Sequence, residues 1–258
     1  MEQKYLITDG GLQVSCRFSA PAHGRIQRIV LGVHGLGGSA DDDIQTAIAE
    51  EMGFFSSATF RFDFPGHGES PLDSEDFTLD ICRASLLAVA REARQRYPEV
   101  ENLCIFATGF GAYVTLLSLE GLLEIAEDIR LVVQTPSVRM HETLLTMLGL
   151  SEQTLRAMDR YVIPLPRPLT IYYSLYKQMK ANIALTTHPI PMLILQGQED
   201  KYIRMDDIRQ FHRINEDSRL VIIPGASHRF LEEGAWDMVL DLTRDWFAFR
   251  QVTLADWT

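Results

Sequence analysis

Short apolar runs alternate with longer amphipathic stretches along most of this chain. Eight of these runs have the length and the β-branched content of strands. They cover residues 5–7, 12–18, 28–33, 57–62, 103–106, 131–134, 192–195 and 220–223. Apolar positions at helical spacing predict a helix over residues 77–96, which Pro98 stops, and a last helix over residues 236–249. The alternation predicts an α/β fold with a mostly parallel central sheet of about eight strands, flanked by helices.

The stretch between the sixth and seventh predicted strands is much longer than a simple crossover needs. It is rich in methionine, tyrosine and proline. We predict that residues 138–188 form two or three short helices that cap the site, as an insertion in a single domain over residues 1–258. Methionine and aromatic side chains would suit an adaptable apolar pocket, although most of them are also expected to pack onto the body as core.

Composition and charge exclude several classes of function. The formal net charge of −11 disfavours nucleic acid and anionic membrane surfaces as partners. No apolar run approaches the length of a membrane span, and the first residues do not resemble a signal peptide. The three cysteines have no paired or metal-type spacing, which favours reduced, buried thiols in a cytoplasmic protein. No cofactor is expected, and the oligomeric state stays open, a homodimer included.

The chemistry-bearing part of the chain centres on Gly109. The sequence ATGFG at residues 107–111 follows an apolar strand and precedes a helical run. Strand, sharp turn and helix are what a nucleophile elbow of the form G-x-S-x-G requires, and Gly109 stands at the position of the serine. Nowhere else in the sequence does a serine, cysteine or aspartate occupy such a turn.

Three further segments follow strand ends in the order that a serine hydrolase requires. The first is the glycine-rich HGLGGS at residues 34–39. The second, later in the chain, is the strand end QGQED at 196–200, and the third is the loop PGASHRF at 224–230, which follows the last strand. Asp200 and His228 are therefore candidates for an acid and a base, with the order elbow, acid, base respected.

Together with DFPGHGES at residues 63–70, these segments resemble the α/β-hydrolase superfamily. Within it, the chain is similar to small capped esterases and serine aminopeptidase-like hydrolases, including cinnamoyl and feruloyl esterases. The resemblance spans residues 26–249. It implies that Asp200 is the triad acid, with Glu199, Asp206 and Asp207 as alternatives, and that His228 is the base. It also implies an oxyanion hole formed by the amides of Leu36 and Phe110.

Two histidines in these segments are expected to serve structure. His34 belongs to the glycine-rich loop, where such a residue holds the backbone rather than taking part in chemistry. His67 lies in the segment that resembles the D-x-x-G-x-G-x-S loop of the family. A metal or catalytic role for His67 is the alternative, but no other candidate ligand stands at a suitable spacing.

Because of Gly109, a hydrolase fold does not imply hydrolase activity in this chain: glycine supplies no oxygen for attack on an acyl carbon. Thr108, Cys104 and Ser118 are not expected to replace it. Four interpretations follow. In the first, the protein is a hydrolase scaffold that binds a small acyl or aromatic ligand under its cap. In the second it is an enzyme in which His228 and Asp200 activate water, and in the third it is an enzyme in which His228 is the base for non-hydrolytic chemistry. In the fourth it is a serine hydrolase in which Gly109 is an engineered change. In each case the sequence predicts weak or absent conventional ester or peptide hydrolysis.

Overall fold

The computed structural model describes residues 2–249 and places ten strands, nine α-helices and one short 3-10 helix (Ser74–Asp76) among them. The strands are β1 (Gln3–Asp9), β2 (Leu12–Ser19), β3 (Arg28–Val33), β4 (Ser57–Phe62), β5 (Asn102–Thr108), β6 (Asp128–Gln134), β7 (Arg160–Ile163), β8 (Leu169–Tyr172), β9 (Met192–Gly197) and β10 (Ser218–Ile223). The helices are α1 (Asp43–Phe54), α2 (Leu79–Arg96), α3 (Gly109–Leu117), α4 (Leu119–Leu123), α5 (Met140–Leu148), α6 (Glu152–Met158), α7 (Tyr173–Ala181), α8 (Met205–Ile214) and α9 (Ala235–Phe247). Residues 1 and 250–258 of the predicted domain lie outside the described part.

Eight of the strands form one twisted sheet in the order β1-β2-β4-β3-β5-β6-β9-β10. The pairs β1–β2 and β2–β4 are antiparallel, whereas β4, β3, β5, β6, β9 and β10 run parallel to one another. The predicted α/β fold with a mostly parallel sheet of eight strands is therefore confirmed. Because parallel strands share a direction, the loops that follow β3, β5, β6, β9 and β10 meet at one edge of the sheet.

Helices cover both faces of the sheet, which is why the central strands are apolar on both sides. Alternate residues of β5 illustrate this arrangement. Leu103 and Ile105 belong to the apolar cluster that includes α2 and α3, and Cys104 and Phe106 belong to the cluster that includes α1 and α9. Helix α2 begins where the hydroxyl of Thr78 accepts the Ile81 amide at 3.3 Å. It ends two residues before Pro98, close to its predicted end.

The long segment between β6 and β9 contains three helices (α5, α6 and α7) and a two-stranded antiparallel hairpin of β7 and β8. The sequence predicted the helices but missed the hairpin. Each of its strands has only four residues, which is too short for a clear period-two pattern. Three prolines (164, 166 and 168) stand in the connection between them, so the segment has the composition of a loop.

Among the described residues, no helix is both long enough and apolar enough to cross a membrane. The three cysteines are buried and free of disulfide bonds.

Candidate functional site

Gly109 is the first residue of α3 and lies in the tight turn where β5 ends and α3 begins. Its φ of +46° lies in the left-handed region, which side chains other than glycine seldom adopt. A Cβ atom added at Gly109 would meet no other atom within 4 Å. The turn therefore has room for a Cβ atom, and the obstacle to one is the backbone conformation.

His228 and Asp200 are brought together although 28 residues separate them in sequence. Nδ1 of His228 lies 2.8 Å from Oδ2 of Asp200. Asp200 follows β9 and His228 follows β10, and these strands are parallel neighbours in the sheet. No described residue hydrogen-bonds to Nε2 of His228, so this nitrogen stays available for a ligand or a water molecule.

The carboxylate of Asp200 is held by three further hydrogen bonds. Oδ1 accepts the backbone amides of Tyr202 at 2.8 Å and Ile203 at 3.1 Å, and Oδ2 accepts Nε2 of Gln196 at 3.1 Å. The ring of Tyr202 also packs edge-on against His228, with centroids 5.2 Å apart. Burial alone would raise the pKa of Asp200, but the His228 contact and the two amides outweigh it and lower that pKa below its ordinary value. Asp200 is therefore ionised at neutral pH.

The three alternative acids do not occupy this place. Asp207 forms ion pairs with Arg204 at 2.9 Å and Arg139 at 3.3 Å, away from His228. The side chain of Asp206 is almost fully exposed. Glu199 is exposed as well. Among the four carboxylates, only Asp200 contacts the imidazole of His228.

A close backbone contact explains why glycine precedes Asp200 by three residues. A Cβ atom on Gly197 would lie 2.5 Å from the carbonyl oxygen of Ala226 and 2.6 Å from that of Ser227. The loop that carries His228 therefore passes directly over the end of β9. Any side chain at Gly197 would push that loop, and His228 with it, away from Asp200.

The glycine-rich loop after β3 is held by two buried histidines. His34 accepts the Phe64 amide through Nε2 at 3.0 Å and contacts the Gly35 carbonyl through Nδ1 at 2.8 Å. His67 accepts the Gly37 amide through Nε2 at 3.1 Å and contacts the Pro65 carbonyl through Nδ1. Burial lowers the pKa of both rings, that of His67 to about 3. Neutral rings with these contacts support the structural role expected for them.

Leu36 and Phe110 line the same cavity as Gly109 and His228. Phe110 lies in the first turn of α3, where backbone amides have no partner within the helix. Among residues 2–249, no hydrogen-bond acceptor contacts the backbone amide of Leu36 or that of Phe110. Both amides are therefore available to a ligand, as an oxyanion hole would require.

The cavity has a volume of about 530 Å³, which suits a small organic molecule. Its walls come from the glycine-rich loop, the turn at Gly109, the loop after β6, the loop of His228 and the segment between β6 and β9. From that segment, Met140, Met147 and Leu148 of α5 and Ile163 and Leu165 of the hairpin line it. The tyrosines of α7 do not; Tyr173 and Tyr176 donate hydrogen bonds to Glu152 instead.

Sequence reasoning missed the polar residues that support this site. Gln196 orients Asp200 from within β9. Gln134 at the end of β6, and Thr135 and Ser137 just after it, line the cavity. A polar side chain at the end of an otherwise apolar strand was the available signal. Among the described residues, no group of histidine, cysteine, aspartate and glutamate side chains has the arrangement of a metal site.

Comparison with known proteins identifies the family to which this chain belongs. A family model described as "Alpha/beta hydrolase family" matches residues 30–242, so the chain belongs to the alpha/beta hydrolase family. No curated protein matches the sequence.

Three solved structures share the fold at low sequence identity. Est1E from Butyrivibrio proteoclasticus, with ferulic acid bound, has a TM-score of 0.81 and 19% identity over 96% of this chain and 100% of its own. Alpha/beta hydrolase domain-containing protein 10 from mouse has a TM-score of 0.75 and 16% identity over 96% of this chain and 99% of its own. The Pyrococcus furiosus esterase Pf2001 has a TM-score of 0.69 and 16% identity over 96% and 90%.

Proposed function

We propose that this protein binds a small acyl or aromatic ester in the cavity around Gly109, and that its conventional acyl-enzyme hydrolysis is weak or absent. The site derives from a carboxylic-ester or peptide hydrolase in this proposal. Gly109 stands at the nucleophile position, Asp200 and His228 are the acid and base, and the amides of Leu36 and Phe110 form the oxyanion hole. The three free, buried cysteines favour a reducing compartment such as the cytoplasm.

The observation that carries the proposal is the 2.8 Å contact between His228 and Asp200 at the rim of a cavity that also contains the Gly109 turn. An ionised, buried carboxylate holds the imidazole in one orientation, as in a working triad. The esterase fold of the structural neighbours supports an ester as the ligand. Gly109 itself offers no hydroxyl, and loss of the nucleophile costs a serine hydrolase about 10⁶-fold in turnover.

The test compares the protein with its Gly109→Ser and Gly109→Ala variants on short-chain and aromatic acyl esters. A Cβ atom fits at this position, so both variants bear the same backbone cost, and only serine adds a hydroxyl. We expect a gain in turnover of about 10³-fold or more for Gly109→Ser and none for Gly109→Ala. Equal turnover of the two variants would show that the rest of the site no longer supports hydrolysis.

A second candidate function is slow ester hydrolysis by direct attack of water. It is favoured by the free Nε2 of His228, which would face a water molecule in the space beside Gly109. In this alternative Nε2 takes a proton from water while the oxygen adds to the acyl carbon. The tetrahedral intermediate then collapses, and the leaving alcohol takes the proton from the imidazolium. The products are a carboxylic acid and an alcohol, and no covalent intermediate forms on the protein.

His228→Ala and Asp200→Asn separate this alternative from pure binding. If water is the nucleophile, any slow hydrolysis by the unmodified protein falls to background in His228→Ala and falls strongly in Asp200→Asn. Ester affinity, measured by calorimetry, should change little in either variant. Turnover that survives His228→Ala would exclude the water mechanism.

A further inference from the structure

Four charged side chains form a closed network of ion pairs beside the cavity, and the site described so far makes no use of it. Arg139 and Glu142 stand at the start of α5, and Arg204 and Asp207 stand at the start of α8. Asp207 contacts Arg204 at 2.9 Å and Arg139 at 3.3 Å. Glu142 contacts the same two arginines, at 3.3 Å and 3.9 Å. Positive and negative groups therefore alternate around this ion-pair network, and each charge has two opposite neighbours.

Asp207 is the most buried member of the ion-pair network. Its side chain is 12% exposed. It accepts two hydrogen bonds from Arg204, Nε to Oδ2 at 2.9 Å and Nη2 to Oδ1 at 3.0 Å. Contacts of this two-point kind fix the direction of both the guanidinium and the carboxylate. A network of several charges also holds its geometry better than an isolated surface pair. The ion-pair network therefore fixes the start of α8 against the start of α5.

On one side, the ion-pair network holds a helix that forms a wall of the ligand cavity. Met140 and Thr143 of α5 line the cavity around Gly109. Arg139 and Glu142, in the same turn of that helix, line a second, smaller cavity of about 50 Å³ together with Thr143. One turn of α5 thus contributes both to the wall that faces a ligand and to the ion-pair network.

On the other side, the ion-pair network holds the loop that orients Asp200. Arg204 directly follows Ile203, whose amide donates to Oδ1 of Asp200 together with the amide of Tyr202. The aromatic ring of Tyr202 packs edge-on against His228, and Tyr202 lines both cavities. A movement of Arg204 therefore displaces the two amides that hold Asp200 and the ring that packs against His228.

We infer that Arg204 is a positioning residue for the pair of Asp200 and His228. Through the ion-pair network it joins this pair to α5, so the helix that contacts the ligand also sets the orientation of the imidazole. The inference rests on the proposed function, because it assumes that Asp200 and His228 act on an ester in the cavity. It adds that the acid and the base are held in part by a helix of the segment between β6 and β9.

The variants Arg204→Gln and Asp207→Asn break the ion-pair network, and Arg244→Gln is the matched control. Arg244 is also a partly exposed arginine that pairs with a carboxylate of another helix, Glu51 in α1, at 3.3 Å. It lines neither cavity. Loss of this ion pair should lower the free energy of global unfolding in the same way, without acting on the loop of Asp200.

The first test measures hydrogen exchange of single amides by NMR, without ligand. The amides of Tyr202 and Ile203 should exchange about fivefold faster in Arg204→Gln and Asp207→Asn, because local opening of their loop becomes easier. In Arg244→Gln the two amides should exchange as in the unmodified protein. A merely structural role would leave these two amides alike in all three variants, and that result would overturn the inference.

The second test measures ester turnover in the Gly109→Ser background. Adding Arg204→Gln should lower kcat about fivefold and change KM by less than about twofold, because the imidazole is less well oriented while the apolar wall remains. A raised KM with unchanged kcat would mean that the ion-pair network only shapes the cavity, and would overturn the positioning role.

A double variant tests whether the two residues act through one contact. Arg204→Gln combined with Asp207→Asn should lower kcat no further than the stronger single variant does, because the contact is already lost. Additive losses would show two independent effects and would contradict a shared role.

The two tests separate failure of the inference from failure of the proposed function. If Gly109→Ser gains no turnover, the proposed function fails, and the exchange of the Tyr202 and Ile203 amides still decides whether Arg204 holds the loop of Asp200. If Gly109→Ser gains turnover but Arg204→Gln and Arg244→Gln behave alike in both tests, the positioning role is overturned and the proposed function stands.

Discussion

The backbone amide of Gly37 donates a hydrogen bond to Nε2 of His67 at 3.1 Å, and this bond ties the glycine-rich loop to the loop that follows β4. The acceptor must be an unprotonated nitrogen, so the contact exists only while the ring is neutral. Burial enforces this state by lowering the pKa of His67 to about 3. The position of the loop that carries Leu36 is therefore coupled to the protonation of a residue that does not line the cavity.

Replacing His67 should change how stability depends on pH. The unfolded chain protonates His67 below about pH 6.5, whereas the folded protein keeps it neutral down to about pH 3. Between these values the unfolded state binds the extra proton, so stability falls as the pH falls. Urea unfolding of His67→Gln should show a slope shallower by up to about 1.4 kcal/mol per pH unit in this window. Above about pH 7 the two slopes should coincide, and parallel curves throughout would contradict the assignment.

Arg167 should hold the hairpin of β7 and β8 onto the same loop. Its guanidinium donates to the carbonyls of Ser70 at 2.7 Å and Leu72 at 2.9 Å, and more distantly to those of His67 and Gly68. Two residues earlier, Leu165 lies close enough to Gly37 to contact a Cβ atom placed there. The hairpin therefore contacts the glycine-rich loop directly through Leu165, and indirectly through the Arg167 contact with the loop that carries His67.

Arg167→Gln is expected to loosen the hairpin rather than unfold the protein. The guanidinium is partly exposed, so we expect a loss of only about 1–2 kcal/mol, concentrated in local opening. Hydrogen exchange over residues 160–172 should become faster in Arg167→Gln. In Arg160→Gln, a change at an exposed position of β7, it should stay as in the unmodified protein. Equal exchange in the two variants would show that the guanidinium contacts do not hold the hairpin.

Gly197→Ala should disturb the site through the backbone. Its Cβ atom would overlap the carbonyl oxygens of Ala226 and Ser227, so the loop of His228 must move. We expect a loss of about 1–3 kcal/mol in unfolding free energy, as for other overpacked positions. In the Gly109→Ser background, any turnover gained should fall as well. Gly53→Ala in α1 is the control, because a Cβ atom there meets open space and alanine favours a helix by about 1 kcal/mol.

Much of this architecture could be predicted from the sequence because it rests on local patterns. The eight strands of the main sheet are apolar runs long enough to recognise, and Pro98 marks the end of α2. Gly109 stands in a tight turn with a positive φ, and Gly197 stands where two carbonyl oxygens leave no room for a Cβ atom. Residue order and resemblance together placed Asp200 and His228, and the structure brings the two into contact.

What the sequence could not give depends on contacts between distant segments. Gln134 and Ser137 are ordinary polar residues in sequence, and only the fold shows that both line the cavity and that one buried oxygen of each has no partner among the described residues. Arg167 stands among prolines, and its targets lie about a hundred residues earlier. The hairpin of β7 and β8 was missed because its strands are stabilised by pairing rather than by their own pattern.

Gly109→Ala isolates the backbone cost of a side chain at the turn before α3. Because a Cβ atom there meets nothing within 4 Å, the whole penalty comes from the φ of +46°. A residue other than glycine in this region costs about 1–2 kcal/mol, so urea unfolding should show a loss of that size. Gly109→Ser should lose the same amount, since its hydroxyl adds no steric conflict at Cβ. Glycine at this position therefore stabilises the fold relative to a serine, whatever the serine does for turnover.

Gly197→Ala is the matched comparison that shows whether an added methyl group disturbs the His228–Asp200 contact. Both substitutions add one methyl group at the same edge of the sheet, but of the two residues only Gly197 is crowded by neighbouring carbonyl oxygens. Gly109→Ala should therefore leave the His228–Asp200 contact intact, so the ¹H NMR resonance of the proton between the two residues should persist. It should be lost or shifted in Gly197→Ala. A loss of the resonance in Gly109→Ala would mean that the turn and the His228–Asp200 pair are mechanically coupled.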